Sequence, residues 1–265
     1  MNKRYRINDI LSKKGKKKIV ALTCYSAQFS HIFDSFTDIL LVGDSLGMVI
    51  YGHHNTHNVT TRMMIDHGKA VVETTKNSLI VIDLPFGTYE KSKEKAFATA
   101  AKIIKKTGAN AVKLEGGEEL FETIKFLVNR GIPVMGHIGL LPQRISSLGK
   151  FGVVGKSIAS QRKILNDAKV LQKAGVFALV IEAVKENLGR KITNTLSIPT
   201  IGIGAGRYCD GQILVSDDVL GLFKKFTPKF VKKYANLHDK VDAAIKKYAL
   251  DVVTGKFPDN ETIYK

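Results

Sequence analysis

The stretch Leu40-Leu41-Val42-Gly43-Asp44-Ser45-Leu46-Gly47 joins an apolar run directly to an acid, a hydroxyl and a glycine. A short apolar run that ends so abruptly is typical of a buried strand, and it predicts that Asp44 lies at the C-terminal tip of that strand. Four later apolar runs also end in an ionisable residue, namely Asp83, Glu115, His137 or Glu182. Because parallel strands bring their carboxyl ends together, the five runs predict a single polar site.

Eight strand candidates alternate with helices or helix-length loops along the chain. They occupy residues 18–25, 40–44, 81–85, 111–115, 133–137, 179–182, 197–206 and 212–216. Strict alternation of strand and helix implies a parallel sheet, and eight repeats favour a closed (β/α)8 TIM barrel. A doubly wound open sheet is the competing architecture, but its glycine fingerprint is missing after the first strand. The stretch Gly202-Ile203-Gly204-Ala205-Gly206 falls at the seventh strand instead, where it suits the close approach of a ligand.

The totals fit one large α/β barrel or two small domains, since the chain has 265 residues and 44% of them are hydrophobic. We interpret residues 1–265 as a single barrel domain with a basic N-terminal arm and a helical C-terminal extension. No run approaches 18 apolar residues and no signal core follows residues 1–6, so we expect a cytoplasmic protein without a membrane partner. Cys24 and Cys209 lie far apart without paired spacing, which favours reduced thiols.

The formal net charge is +17, and residues 13–18 hold five lysines around one glycine. Basic clusters of this kind can bind the phosphates of nucleic acids. However, most lysines fall on predicted helix surfaces, without interleaved aromatic residues and without zinc-finger or helix-turn-helix spacing. The charge therefore favours a solvated surface that attracts anionic substrates, and no nucleic-acid partner is expected.

Asp44 and Asp83 are predicted to end neighbouring strands, roughly 5 Å apart. Two ionised carboxylates at that distance repel each other by about 3 kcal/mol at an effective dielectric constant of 20, so a proton, a cationic side chain or a divalent cation must offset them. Lys113 and Glu115 are two residues apart on one strand, which places both side chains on one face. Oxygen ligands without cysteine suit Mg²⁺. The alternative, that each acid only pairs with a lysine or caps a helix, weakens when four strands carry acids at equivalent positions.

A divalent cation, a lysine and a spare carboxylate together indicate enolate formation beside a carbonyl group. In such chemistry the metal chelates a 2-oxo acid and stabilises the charge that develops on its keto oxygen. A carboxylate that does not bind the metal removes the adjacent C–H proton, and Glu182, across the mouth from the two aspartates, is the predicted base. His137 is placed to hydrogen-bond a substrate carboxylate or keto oxygen.

Two further segments carry functional interpretations. Residues 140–160 include three glycines in a long connection, which we interpret as a mobile flap. Residues 53–57 hold three histidines without a helical frame, and we interpret them as a solvated loop rather than a transition-metal site. His67 lies on the inner stripe of the helix predicted after Thr60, and it is interpreted as a packed, hydrogen-bonded histidine.

Five motifs, taken in order, resemble ketopantoate hydroxymethyltransferases. They are Val42-Gly43-Asp44-Ser45-Leu46-Gly47-Met48, Asp83-Leu84-Pro85-Phe86, Val112-Lys113-Leu114-Glu115-Gly116-Gly117, Gly136-His137-Ile138-Gly139-Leu140, and Ile201-Gly202-Ile203-Gly204-Ala205-Gly206 followed by Asp210-Gly211-Gln212-Ile213-Leu214. The similarity covers roughly residues 5–257, and it implies a (β/α)8 barrel of the phosphoenolpyruvate/pyruvate type in pantothenate and coenzyme A biosynthesis. The implied reaction transfers a hydroxymethyl unit from 5,10-methylenetetrahydrofolate to 3-methyl-2-oxobutanoate and gives 2-dehydropantoate.

The same resemblance implies roles for individual residues. Asp44 and Asp83 would bind Mg²⁺, with Glu115 completing or orienting the metal site, and Glu182 would accept the proton. Contacts to the keto acid would fall on Asp44, Ser45, Asp83 and Lys113, with His137 nearby. Because members of the family commonly form decamers, we expect a homo-oligomer and specifically a decamer.

The chain departs from the family pattern in three ways. Thr23-Cys24-Tyr25-Ser26 stands where Thr-Ala-Tyr-Asp is usual, the loop from His54 to Asn58 replaces Asp-Ser-Thr-Leu-Pro, and the protein is more basic than expected. None of these changes removes a residue of the implied metal or proton-transfer set. The nearest rival function is a Mg²⁺-dependent lyase or phosphonomutase of another small oxo acid, which would need no one-carbon donor.

Overall fold

Eight parallel strands, each hydrogen-bonded to its neighbours in sequence order, close into a barrel through pairing of the first strand with the last. The strands are β1 Ile19–Thr23, β2 Ile39–Val42, β3 Leu79–Asp83, β4 Ala111–Glu115, β5 Val134–Gly139, β6 Ala178–Glu182, β7 Thr200–Ile203 and β8 Gly211–Leu214. The computed structural model describes residues 4–149, 152–223 and 227–264, except the side chain of Leu148. The closed barrel confirms the predicted architecture and excludes the doubly wound open sheet.

Helices follow most of the strands along the chain. They are α1 Ile7–Leu11, α2 Ala27–Phe33, α3 Leu46–Val49, α4 Thr61–Thr74, α5 Lys93–Thr107, α6 Phe121–Val128, α7 Ile145–Leu148, α8 Ile158–Ala174, α9 Glu186–Thr195, α10 Ser216–Leu220 and α11 Leu237–Val253. The helix starts follow sequence signals: Thr60 accepts the Met63 N–H, and Ser92 accepts the Lys95 N–H. Gly108 ends α5 at a φ of 77°, a conformation that glycine adopts without strain.

The inward side chains of the strands fill the barrel interior with apolar layers. The buried cluster comprises Ile10, Ile19, Ala21, Ile39, Leu41, Leu79, Val81, Ala111, Met135, Phe177, Ala178, Val180, Ile201 and Ile213. Side chains alternate along a strand, so a residue two positions further lies on the same inward face. Asp83 therefore follows Leu79 and Val81 into the barrel, and Lys113 and Glu115 follow Ala111. The polar site is built directly on the end of the apolar core.

The N-terminal segment closes the other end of the barrel. Ile10 of α1 is fully buried in the core cluster, and Tyr5, Ile7 and Leu11 pack against that cluster. Two lysines that follow form ion pairs with barrel loops, Lys13 with Asp38 and Lys14 with Asp210. Their side chains are only 11% and 19% exposed. The interpretation of the lysine cluster as a solvated surface is therefore wrong for these two residues, which fasten the segment in place.

The barrel unit ends at Val215, and the chain from Ser216 forms a second compact unit that contains α10 and α11. This second unit occupies the region predicted as a helical extension, of which residues 224–226 lie outside the described chain. Among the described residues, none of the helices has the length and apolarity needed to cross a membrane. Cys24 and Cys209 are buried cysteines outside any disulfide, as predicted.

Asp34, which follows α2, organises the turn that leads into β3. Its carboxylate accepts backbone N–H groups of Lys76, Asn77 and Ser78 at 2.7–3.0 Å. Burial opposes ionisation, but these hydrogen bonds outweigh it and lower the pKa of Asp34. We expect Asp34→Ala to reduce the free energy of unfolding by about 2–3 kcal/mol at neutral pH, since it leaves buried donors unpaired.

The pH dependence of this loss has a defined sign. Because the pKa of Asp34 is lower in the folded state, its stabilisation is present above the unfolded pKa of about 4 and is lost as the pH falls through the folded pKa. Urea unfolding of the wild type and of Asp34→Ala, at pH 7 and near pH 2.5, measures this pH dependence. A difference between them that stays constant across this range would contradict the role of the carboxylate.

Candidate active site

Strand register brings the predicted site residues together at the carboxyl end of the barrel. Asp83 on β3 is paired with Lys113 on β4, and Glu115 is paired with His137 on β5. Gly139 at the end of β5 is paired with Glu182 on β6. Since paired residues on adjacent parallel strands are immediate neighbours, the alternation seen in sequence becomes one continuous wall of ionisable side chains.

Asp44 and Ser45 join this wall from the turn that follows β2. The backbone N–H of Asp44 donates to Asp83 Oδ2 at 3.0 Å, which sets the two aspartates side by side. The Ser45 hydroxyl lies 2.8 Å from the hydroxyl of Tyr25. Ser45 is also the N-cap residue of the short helix α3. Its position is therefore set by the contact with Tyr25 and by the start of that helix.

Lys113 occupies the centre of the acidic wall. Its Nζ lies 3.1 Å from Asp83 Oδ1, 3.6 Å from Glu115 Oε1 and 3.2 Å from His137 Nδ1. Burial opposes the charge, but Asp83, Glu115 and Asp44 outweigh it and raise the pKa of Lys113 above its ordinary value. The lysine is therefore a permanent cation, suited to attracting an anionic substrate rather than to proton transfer near neutral pH.

His137 and Glu182 form a second pair beyond Lys113. His137 Nε2 lies 3.1 Å from Glu182 Oε2, and His137 Nδ1 lies 3.4 Å from Glu115 Oε1. Burial and Lys113 disfavour the imidazolium, but Glu115 and Glu182 favour it more strongly and raise the pKa of His137 to about 9. The side chain of Glu182 is 13% exposed, compared with 2% for Glu115 and 3% for Asp83. Glu182 is thus more accessible to a substrate than either of those acids.

The wall carries more negative than positive groups. Its carboxyl groups are those of Asp44, Asp83, Glu115 and Glu182, and its cations are Lys113 and His137. Burial, followed by Asp83 and Glu115, raises the pKa of Asp44 well above its usual range. Burial is also the main cause that raises the pKa of Asp83, although Lys113 opposes it. Both shifts reflect chiefly the cost of burying an ionised carboxylate, which a bound divalent cation would offset.

Two buried polar atoms of the site have no hydrogen-bond partner within the described ranges. They are Asp83 Oδ1, whose contact with Lys113 is an ion pair outside hydrogen-bond geometry, and His137 Nε2, whose contact with Glu182 is of the same kind. Buried polar groups are rarely left in this condition unless a ligand, an ion or water completes them. Asp83 Oδ1 can bind a cation, and His137 Nε2 can donate a hydrogen bond to a substrate oxygen.

The described residues contain no group of three or more histidine, cysteine or acidic side chains already arranged to hold a metal ion. Mg²⁺ commonly takes only one or two carboxylates and fills the remaining positions with water and substrate oxygens, so Asp44 and Asp83 suffice. Glu115 is differently placed, because Gln143 donates its backbone N–H to Oε2 at 3.0 Å while Oε1 faces Lys113 and His137. Although burial opposes it, Lys113 and His137 lower the pKa of Glu115 to about 2.

Gln143 and Tyr89 belong to the site but were not predicted from the sequence. Gln143 is 2% exposed in a short 3₁₀ turn, Pro142–Arg144, and its Nε2 donates to Asp44 Oδ2 at 2.8 Å. The Tyr89 hydroxyl donates to Gln143 Oε1 at 2.6 Å. The predicted mobile flap, residues 140–160, includes this turn, in which Gln143 is buried and Arg144 is exposed. Residues 150–151 of the flap lie outside the described chain, and its mobility stays a prediction. The only local signal was Pro142, which restricts the backbone of the turn.

The histidine loop is also more structured than expected. His57 Nε2 lies 2.8 Å from the carbonyl oxygen of Gln143, and its ring stacks on Phe86 with centroids 4.6 Å apart. The solvated interpretation is therefore wrong for His57. His67 is hydrogen-bonded as predicted, through Nδ1 to the carbonyl oxygen of Tyr25 and through Nε2 to the hydroxyl of Tyr51.

The fold and the wall define a class of protein, the (β/α)8-barrel enzymes that act on small anionic substrates at the carboxyl ends of their strands. Residues 4–260 match the family model of ketopantoate hydroxymethyltransferase, and the chain belongs to this family. It is 49% identical over 263 residues to the 3-methyl-2-oxobutanoate hydroxymethyltransferase of Rhodospirillum centenum, covering 99% of this chain and 96% of that protein. It is 52% identical to the enzyme of the same name from Sinorhizobium fredii, covering 95% and 92%.

Solved structures support the fold at much lower identity. A phosphonopyruvate hydrolase in complex with oxalate and Mg²⁺ gives a TM-score of 0.63 at 10% identity, covering 98% of this chain and 92% of that one. A 2,3-dimethylmalate lyase of the PEP mutase/isocitrate lyase superfamily gives 0.60 at 11% identity, covering 97% and 91%. These likenesses confirm the predicted (β/α)8 barrel.

Proposed function

We propose that this enzyme transfers a hydroxymethyl unit to C3 of 3-methyl-2-oxobutanoate, with 5,10-methylenetetrahydrofolate as donor and Mg²⁺ as cofactor, and gives 2-dehydropantoate. The observation that carries the proposal is the division of one wall into the aspartate pair with Lys113 and, beyond it, the His137–Glu182 pair. In the overall reaction C3 loses a proton, a bond forms between C3 and the donor's methylene carbon, and water supplies the hydroxyl oxygen as tetrahydrofolate is released. Family membership supports the choice of substrates.

The residues present fit Mg²⁺. Asp44 and Asp83 would hold the ion, since they are neighbouring buried carboxyl groups in a wall that carries more acidic than cationic side chains, and Glu115 would orient the site. When bound, Mg²⁺ supplies positive charge that stabilises the negative charge developing on the keto oxygen.

The keto acid would bind between the two parts of the wall. Lys113 provides a buried ammonium group for its negative charge, and His137 Nε2, which lies 3.1 Å from Glu182 Oε2, would provide a hydrogen-bond donor to a substrate oxygen. Asp44, Ser45 and Asp83 would complete the pocket around the reacting end of the substrate. Because these contacts precede any encounter with the donor, they fix the C3–H bond relative to Glu182.

Glu182 is the proposed base. Its Oε2 lies 3.1 Å from His137 Nε2, a contact that orients the carboxylate, and its partial exposure gives it access to the substrate. Proton transfer to Glu182 leaves an enolate whose C3 is the nucleophile for the one-carbon unit, and the proton passes on to solvent before the next cycle.

Hydrogen–deuterium exchange at C3 of 3-methyl-2-oxobutanoate tests the proposal. We expect exchange that requires Mg²⁺ and needs no folate, followed by 2-dehydropantoate formation once 5,10-methylenetetrahydrofolate is added. Exchange without transfer would contradict the folate donor and support a lyase or mutase of an oxo acid. The absence of exchange with folded protein and Mg²⁺ present would overturn the assignment of the wall.

Asp83→Asn keeps the size of the side chain and removes its charge. We expect the Mg²⁺ concentration that half-saturates exchange to rise about tenfold or more, since a charged ligand contributes at least 1.4 kcal/mol to cation binding. A Mg²⁺ titration of the exchange rate measures the effect. Asp66→Asn on the surface of α4, where Asp66 pairs with Arg62, is the matched control. A titration curve that coincides with that of the wild type would remove Asp83 from the metal site.

A further inference from the structure

We infer that Gln143 is a positioning residue, which fixes the orientations of Asp44 and Glu115 and thereby selects the carboxylate oxygens that are offered to the cation and the keto acid. The inference rests on the proposed function and concerns a residue that touches neither reacting atom. It also assigns a role to the turn after β5, which joins the site although its sequence is typical of a loop.

Gln143 uses every hydrogen-bonding group that it has. Its Nε2 donates to Asp44 Oδ2 at 2.8 Å and to the carbonyl oxygen of Leu84 at 2.9 Å. Its Oε1 accepts from the Tyr89 hydroxyl at 2.6 Å, its backbone N–H donates to Glu115 Oε2 at 3.0 Å, and its carbonyl oxygen accepts from His57 Nε2 at 2.8 Å. A glutamine with two side-chain donors and one acceptor has no spare group after these bonds, so its rotamer is determined by its surroundings.

The contacts also fix which end of the amide faces the aspartate. The carbonyl oxygen of Leu84 can only accept, so the amide atom beside it must be the nitrogen. That nitrogen is the same atom that reaches Asp44 Oδ2, so Asp44 receives a donor rather than a second oxygen. The arrangement stabilises the carboxylate form of Asp44, in opposition to the burial that raises its pKa.

Gln143 therefore distinguishes the two oxygen atoms of each carboxylate that it contacts. Gln143 donates to Asp44 Oδ2, while Asp83 Oδ2 accepts from the Asp44 N–H and Asp83 Oδ1 faces Lys113 Nζ at 3.1 Å. On Glu115, Gln143 donates to Oε2, and Oε1 faces Lys113 and His137. Gln143 thus holds one oxygen of Asp44 and one of Glu115, which sets the direction in which the other oxygen of each carboxylate points.

Gln143 also connects its own turn after β5 to three other parts of the barrel. His57 comes from the loop after β2, Leu84 and Tyr89 come from the connection after β3, and Glu115 ends β4, while Gln143 itself follows β5. A change at His57 should therefore be transmitted to the aspartate pair through Gln143.

The test compares Gln143→Met, which preserves volume and removes all three side-chain hydrogen bonds, with Gln172→Met. Gln172 also accepts hydrogen bonds, from backbone N–H groups of Ser197 and Ile198, but at the opposite end of the barrel. Calorimetric titration with Mg²⁺ alone and steady-state C3 exchange are measured on each protein, with the melting temperature as a check on folding. We expect Gln143→Met to weaken Mg²⁺ binding about tenfold and to raise KM for 3-methyl-2-oxobutanoate more than it lowers kcat, because Glu182 and His137 are untouched.

The outcomes separate the inference from the proposed function. Wild-type affinity and KM in Gln143→Met, or equal losses in Gln172→Met, would overturn the positioning role. A wild-type protein that binds no Mg²⁺ would contradict the proposed metal instead, and the KM comparison would still decide the role of Gln143.

A second variant covers the case in which Gln143→Met does not fold. His57→Leu removes the donor to the Gln143 carbonyl oxygen and leaves the Gln143 side chain intact, so we expect about a threefold loss of Mg²⁺ affinity. Where both single variants fold, this loss should disappear in the His57→Leu, Gln143→Met double variant, since residues that act in series are not additive. Unchanged affinity in His57→Leu, or full additivity in the double variant, would overturn the inferred linkage.

Discussion

Glu182→Gln should lower the rate of C3 exchange by about a thousandfold, because a general base in contact with the reacting C–H typically contributes that much and an amide cannot accept the proton. The substitution preserves the shape of the side chain at the end of β6. Binding of Mg²⁺ and of 3-methyl-2-oxobutanoate should persist, since the proposed ligands lie on other strands. Exchange followed by proton NMR, with calorimetry for the two ligands, separates the loss of chemistry from any loss of binding.

The matched control for this variant is Glu186→Gln. Glu186 lies four residues further along the chain at the start of α9, where it pairs with Arg207 on the surface. We expect wild-type exchange from the control. Normal exchange in Glu182→Gln would remove Glu182 as the base, and loss of both ligands would show that the carboxylate is needed to build the site.

Lys113→Met should have the largest effect on stability. Its buried ammonium group lies 3.1 Å from Asp83 Oδ1 and 3.6 Å from Glu115 Oε1, and its removal takes positive charge away from both carboxylates. Breaking a buried ion pair in this way costs about 3–5 kcal/mol in the free energy of unfolding. Mg²⁺ should restore stability more in the variant than in the wild type, because the cation binds only the folded state and meets a more negative site.

The same variant should weaken keto-acid binding ten- to a hundredfold, which corresponds to one lost hydrogen bond to a charged group. Urea unfolding with and without Mg²⁺ and calorimetry with the keto acid measure the two effects. Lys102→Met on the exposed surface of α5 is the control. Intact keto-acid binding combined with a loss of exchange would contradict the binding role of Lys113 and indicate a role in chemistry.

The barrel and the acidic wall were accessible from sequence because local patterns determine them. Each strand is a short apolar run, and Asp83, Glu115 and Glu182 stand where such a run ends, so the alternation of the strand carries them inward together with the core. The pairing register of the strands then places Asp83 beside Lys113 and Glu115 beside His137. Roles in catalysis and metal binding are a further step, and for these residues they remain predictions.

The features that the sequence did not reveal depend on contacts between distant segments. Gln143 meets Asp44 across 99 positions, and Lys14 meets Asp210 across 196. A glutamine, a tyrosine or a lysine in a polar loop has no periodicity that would mark it as buried. Such residues become functional or structural only when several loops are brought to the same place, which is a property of the closed barrel rather than of any one segment.

The closure of one end of the barrel by α1 affects how substrates and products reach the site. Because Ile10 is buried in the core cluster, substrates and products would enter and leave at the carboxyl ends of the strands. Under the proposed function, the groups that would receive the keto acid are the most deeply buried, so we expect this small reactant to bind before the larger folate donor. A five-residue helix at the amino end of the barrel thereby restricts the approach to the site to one side.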